Sequence, residues 1–122
     1  MKRAVITGIG AVTPIGNNIN EFWSALLAGK SGAATITHFD PVNHKTRVAC
    51  EVKGFDPLQY MEKQDVRKMD LYTQFALAAA DECIKDSGIN FDACNRSRVG
   101  VIIATGIGGM LTFEEEVLNF GA

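Results

Sequence analysis

The residues with reactive side chains are few. The chain has three cysteines, Cys50, Cys83 and Cys94, and two histidines, His38 and His44. A nucleophilic cysteine must be a thiolate, which calls for a helix N-terminus or a nearby cation. Cys83 falls on the apolar face of a predicted helix and Cys50 inside a predicted strand, so neither has that setting. The cysteines form no C-x-x-C pair, which argues against both a zinc site and a disulfide framework. Neither histidine has a carboxylate or thiol at ligand or triad spacing. Both read as surface or capping residues.

The glycine clusters invite a nucleotide reading and fail it. Gly29-Lys30-Ser31 looks like the end of a phosphate-binding loop, but Ser24 stands where that loop needs its first glycine,. Gly8-x-Gly10 and Gly106-x-Gly108 each supply half of a dinucleotide fingerprint. The third glycine would fall at Thr13 and at Leu111,. What remains are tight turns where glycine permits close backbone approach or positive φ.

Two charged clusters complete the inventory. Lys63, Arg67 and Lys68 lie together, with Glu62, Asp65 and Asp70 interspersed. By spacing alone they are a partly neutralised solvated face or a dock for an acidic partner. Glu114, Glu115 and Glu116 read as a solvated helix face,.

The elements that must position these residues alternate in type. An apolar run over residues 3–7 ending at Gly8 predicts a strand buried on both faces. Asn18 or Asn20 is placed to cap a short helix over about 20–28, stopped by Gly29. Residues 30–45 look irregular, Thr46–Val52 reads as a strand, and Asp56-Pro57 as a helix or turn start. Val66, Met69, Tyr72, Ala76, Ala80 and Cys83 recur at helical spacing and predict one long helix over about 65–86, stopped at Ser87-Gly88. Arg98–Thr105 predicts a second buried strand, the Gly106–Gly109 turn follows, and a last helix spans about 111–119. Alternating strands and helices argue for an α/β layered fold.

Composition excludes several classes. With 122 residues, 47% apolar and 21% charged, the chain can build a core and is no disordered tail,. A formal net charge of −2 gives no global electrostatic case for nucleic acid or an anionic membrane,. No apolar run approaches the roughly 20 residues of a membrane span. The first residues lack a signal peptide's apolar core and cleavage site, so a soluble cytoplasmic location is expected.

Taken in order, several blocks resemble a known family. Val5-Ile6-Thr7-Gly8-Ile9-Gly10-Ala11-Val12-Thr13-Pro14-Ile15-Gly16 is similar to the opening of elongating β-ketoacyl-acyl-carrier-protein synthases, most like synthase II. So are Phe22-Trp23 with Leu26-Leu27-Ala28-Gly29-Lys30-Ser31-Gly32, then Ile36-Thr37-His38-Phe39-Asp40, Arg67-Lys68-Met69-Asp70 with Gln74, and Gly106-Ile107-Gly108-Gly109. The resemblance implies a thiolase-like α/β fold of two similar halves, each a mixed sheet between helix layers. These residues would form most of the first half, an incomplete domain over 1–122.

The resemblance also implies a chemistry: a cysteine takes an acyl group from acyl carrier protein, and decarboxylated malonyl-carrier-protein attacks that thioester. The family's cysteine and its two histidines match no residue here, so the chain alone is expected to be inactive. Ile107, with Gly106, Gly108 and Gly109 around it, matches the position that lines and gates the acyl pocket. Lys63, Arg67 and Lys68 fall at or beside the positions of the carrier-protein dock, although Gln64 stands where the family often has another basic residue, which shifts or weakens the patch. The resemblance further implies a homodimer and no cofactor or metal. A polyketide-type ketosynthase and a catalytically dead chain-length-factor partner share these blocks. Without the resemblance, an α/β ligand-binding domain is the remaining alternative.

Overall fold

The computed structural model describes residues 3–121. It contains helix α1 (Ile19–Leu27), strands β1 (Ala33–Thr35) and β2 (Val48–Cys50), a short helix α2 (Lys63–Val66), the long helix α3 (Leu71–Ser87) and helix α4 (Met110–Phe120). β1 and β2 pair antiparallel with Ala33 opposite Cys50 and Thr35 opposite Val48. β2 falls within the predicted strand, whereas β1 lies in the stretch expected to be irregular.

α3 is the frame. Its buried residues are Gln74 and Ala78, and Ala25 of α1 is buried as well. The chain from Gly8 to Ile19 lies against α3 and is held there by two carboxylates one helical turn apart. Asp86 accepts the Ile9 N–H at 2.9 Å. Glu82 accepts the Ala11 N–H through one oxygen at 2.9 Å and the Ile19 N–H through the other at 2.8 Å. The Ile19 N–H is one of the donors a helix N-terminus leaves unsatisfied. Asn18 caps α1, its side chain accepting the Glu21 N–H at 2.9 Å.

Gly8 and Gly10 explain themselves in this packing. Flanking the clasped Ile9 amide, they face the α3 backbone, and a Cβ at Gly8 would collide with the carbonyl of Cys83 and one at Gly10 with that of Ala79. The half-fingerprint that failed as a nucleotide motif is a crossing of extended chain over helix. One turn before Ala79 on α3, Phe75 packs edge-on to Phe55 at 4.9 Å, and Phe55 stacks on Tyr60 at 5.9 Å. That cluster ties the turn over Pro57–Gln59 to the helix.

Three expectations are corrected. Residues 3–7 and 98–105 form no sheet: Ile6 is 84% and Ile102 97% exposed, and neither stretch has a strand partner among the described residues. A strand buried on both faces needs strands beside it and covering layers, and the described residues place none there. The long helix is broken: Asp70 is extended (φ −64°, ψ 155°) and divides α2 from α3. Periodicity runs through the break because Val66 and Met69 before it and Tyr72 after it fall at helical spacing.

Candidate functional site

The basic cluster sits on α2 and the turn after it. Lys63 opens α2, Arg67 is its C-cap, and Lys68 follows in the turn whose N–H donates to the Asp65 carbonyl at 3.0 Å. Lys63, Gln64, Arg67 and Lys68 line one surface groove. The sequence therefore brings all three cations to one patch, with the amide of Gln64 among them.

A buried side chain fixes that patch. Gln74 is 7% exposed, and its amide donates to the Val66 carbonyl at 3.1 Å and the Met69 carbonyl at 2.9 Å. Those carbonyls lose helical partners where α2 stops, and an unpaired buried carbonyl is costly. Gln74 thus braces the break that presents Arg67 and Lys68. In the sequence it belongs to the block Arg67-Lys68-Met69-Asp70 with Gln74, but nothing in its spacing shows this bracing role.

The Gly106–Gly109 turn lies at the other end of the same surface. Gly108 rests on Tyr72, where an added Cβ would stand 2.8 Å from the ring. Gly109 adopts φ 79°, a left-handed conformation that suits glycine, and is the N-cap of α4,. Ile107 is 78% exposed. Lys68 and Gly109 border one groove, together with Asp70, Tyr72 and Thr112.

Asp70 bridges these parts. Its carboxylate accepts the Thr112 hydroxyl at 2.8 Å and the Thr112 N–H at 3.2 Å. Those two bonds, the hydroxyl first, hold its carboxyl below the usual carboxylate range,. Spacing marked Asp70 only as a neighbour of the basic cluster. A contact between residues 42 positions apart leaves no periodic signal.

The other reactive residues are placed as their spacing suggests. Glu51 accepts the Thr37 N–H at 3.0 Å, the Thr37 hydroxyl at 2.7 Å and the His38 N–H at 3.4 Å. The Thr37 bonds, backbone first, lower its carboxyl as well. The His38 imidazole lies 3.9 Å from Glu51. Cys50 lies in β2 and Cys83 inside α3, so neither is at a helix N-terminus. Cys94 caps a short turn over Phe91–Ala93. Gly29-Lys30-Ser31 is the turn that ends α1, with the Lys30 N–H bonded to the Ala25 carbonyl at 3.0 Å. Among the described residues no His, Cys, Asp and Glu group is arranged to hold a metal ion. No described helix is long and apolar enough to cross a membrane.

Comparison with known proteins gives this arrangement its context. Residues 1–120 match the family described as β-ketoacyl synthase, N-terminal domain. The chain is 49% identical over 113 residues to 3-oxoacyl-[acyl-carrier-protein] synthase 2 of Vibrio cholerae, covering 93% of the chain and 27% of that protein. It is 38% identical over 115 residues to the synthase 2 of Synechocystis, covering 94% and 28%. The chain thus spans about a quarter of the length of the curated relatives it matches.

Among solved structures, a β-ketoacyl synthase from Burkholderia phymatum is 28% identical with a TM-score of 0.73, over 100% of this chain and 31% of that one. The ishigamide ketosynthase/chain length factor is 36% identical with a TM-score of 0.65, over 72% and 22%. A ketosynthase described in complex with its type II polyketide acyl-carrier protein shares the fold at 23% identity and a TM-score of 0.74, over 96% and 31%. The described helices and small sheet therefore follow a course of the thiolase-like ketosynthase fold. The chain belongs to the β-ketoacyl synthase family, matching its N-terminal domain over residues 1–120.

Proposed function

We propose that the chain is the opening segment of a 3-oxoacyl-acyl-carrier-protein synthase of fatty-acid elongation. The observation that carries this reading is the near-complete match to the family over 1–120, joined to synthase 2 relatives at 38–49% identity. In the complete enzyme, an acyl group passes from carrier protein to a cysteine thiolate. Malonyl-carrier-protein then loses carbon dioxide, its carbanion attacks the thioester carbonyl, and the thiolate leaves. The product is a 3-oxoacyl-carrier-protein two carbons longer.

Within that enzyme this segment holds recognition elements. Lys63, Arg67 and Lys68, gathered on one groove, form the dock for acidic acyl carrier protein; a local cationic patch steers such a partner although the chain as a whole carries net charge −2,. Ile107, on the Gly106–Gly109 turn, faces the acyl chain. The cysteine nucleophile and its two histidines lie outside these 122 residues, and the chain by itself forms no acyl-enzyme. The complete enzyme is a cytoplasmic homodimer that uses no cofactor.

The test is acyl transfer from labelled acyl-carrier-protein. The complete synthase should retain label as a thioester, and the 122-residue chain should not. Label on the chain would overturn the division of roles. Likeness to the ishigamide ketosynthase/chain length factor supports a second reading, a polyketide-type ketosynthase or its inactive partner subunit. A complete protein that takes no acyl label, or that accepts a 3-oxoacyl thioester as the primer for a further condensation, would favour it.

A further inference from the structure

α4 starts without a capping side chain of its own. Its N-cap is Gly109, which has none, and α4 buries no described side chain. Helix starts leave N–H donors that need an acceptor, and Thr112, at the third position of α4, carries one,. The acceptor comes from another element. Asp70, the N-cap of α3, makes no full capping bond to α3, although the Leu71 and Tyr72 N–H groups lie near its carboxylate, and it accepts both the Thr112 N–H and the Thr112 hydroxyl. A carboxylate there also faces the positive end of the α4 dipole.

The position of that contact matters. Asp70 is two residues from Lys68 of the basic groove, and Thr112 is three from Gly109 of the glycine turn. Tyr72, two residues further, supports Gly108. We propose that Asp70 is a positioning residue for the acyl-pocket turn: by capping α4 from α3, it sets where Ile107 stands relative to the carrier-docking surface. This rests on the reading of Ile107 as the acyl contact and of Lys68 as part of the dock. Asp70 touches neither the acyl chain nor the reacting atoms; it acts through Thr112 and the turn.

The experiment measures relative kcat/KM across acyl-chain lengths for the complete synthase and its Asp70→Ala, Asp70→Asn, Thr112→Val and Asp70→Ala/Thr112→Val variants. Loss of the cap should relax discrimination at disfavoured lengths by about threefold to tenfold, the range of one or two lost hydrogen bonds. Residues that act through one contact are non-additive, so the double variant should change no more than the larger single one. Asp70→Asn keeps an acceptor oxygen and should lie between the parent and Asp70→Ala. Folded variants with the parent's profile would overturn the proposal, and so would additive effects of Asp70→Ala and Thr112→Val. Should Asp70→Ala fail to fold, Thr112→Val, which keeps the backbone donor, decides alone. Ile107→Phe is the control. If it leaves the profile unchanged, the pocket reading itself fails; if it shifts the profile and the Asp70 variants do not, only the role of Asp70 fails.

Discussion

Gly10 crosses α3 directly over Ala79, and the Ala79 carbonyl fills the space a Cβ on Gly10 would need. The obstacle is helix backbone, which cannot rotate away as a side chain can. Gly10→Ala should therefore destabilise the fold by about 2–3 kcal/mol, the scale of an overpacked contact. Urea denaturation of the complete synthase would show a lower midpoint. An unchanged midpoint would mean that the segment from Gly8 to Ala11 stands off the helix.

Glu82 supports the same crossing by a different route. One carboxylate serves two N–H groups, of Ala11 and of Ile19, from segments eight residues apart. Glu82→Ala orphans both donors and should cost about 2 kcal/mol, since each unsatisfied group carries a penalty of about 1–3 kcal/mol when water cannot fully replace its partner. Amide hydrogen exchange at Ala11 and Ile19 should accelerate together. Acceleration at only one of them would show that the two-armed clasp is not formed.

How much of this was legible follows from the range of each interaction. The helices were, because α1, α3 and α4 carry local signals: Asn18 as cap, apolar spacing, and glycine just past the end. The turn Gly106–Gly109 was legible as a turn, and the basic cluster as a cluster. The clasp was not, since Glu82 and Asp86 look like any exposed i,i+4 acidic pair until the chain from Gly8 is laid beside them. Nor was the break at Asp70, because apolar period cannot distinguish one helix from two in register. The runs 3–7 and 98–105 carry strand composition, but pairing depends on neighbours that composition does not name. Docking and pocket roles for Lys68 and Ile107 came from resemblance, not from spacing.

Acid should loosen two loop contacts. Asp70 and Glu51 both have carboxyls held below their ordinary range by bonds to Thr112 and to Thr37 with His38. A carboxyl lowered in the folded state contributes stability that is fully present above the unfolded value, about 4, and is lost as pH falls through the folded value. The contribution is therefore constant near neutrality and declines below about pH 4. Exchange protection at the Thr37 and Thr112 amides should fall in that window. In Asp70→Asn the Thr112 amide should lose this pH dependence and the Thr37 amide should keep it. Protection that instead declines on raising the pH towards neutrality, after correction for intrinsic exchange, would contradict the sign.

The proposed dock makes a kinetic prediction. Arg67 and Lys68 stand on one groove, braced from beneath by Gln74. Reversing both charges in the complete synthase should raise KM for carrier-protein substrates by about tenfold or more at low salt, with the gap to the parent narrowing as ionic strength rises. A small acyl thioester without carrier protein should react unchanged, since the proposed contact is with the carrier protein alone. Gln74→Ala should give a smaller rise in carrier KM, as Arg67 and Lys68 keep their charge but lose a fixed position. Equal KM values at all salt concentrations would remove Arg67 and Lys68 from the docking role.

Ile107 gives the sharpest test of the pocket. Its neighbours Gly106 and Gly109 have open space around an added Cβ, whereas Gly108 is pressed on Tyr72. The turn rests on Tyr72 at Gly108 and is tied to α3 through Asp70 and Thr112, and the exposed Ile107 side chain can be enlarged without a clash inside this segment. Ile107→Phe should then act on the substrate alone: a larger side chain shortens the longest acyl group accepted, while stability stays within about 0.5 kcal/mol of the parent. Discrimination per methylene in an apolar pocket is about 10- to 200-fold, so a cut of even one two-carbon unit is readily measured. Ile107→Ala should extend the accepted length by the same logic. If both substitutions leave the length profile where it was, the acyl chain runs elsewhere and the turn serves only to start α4.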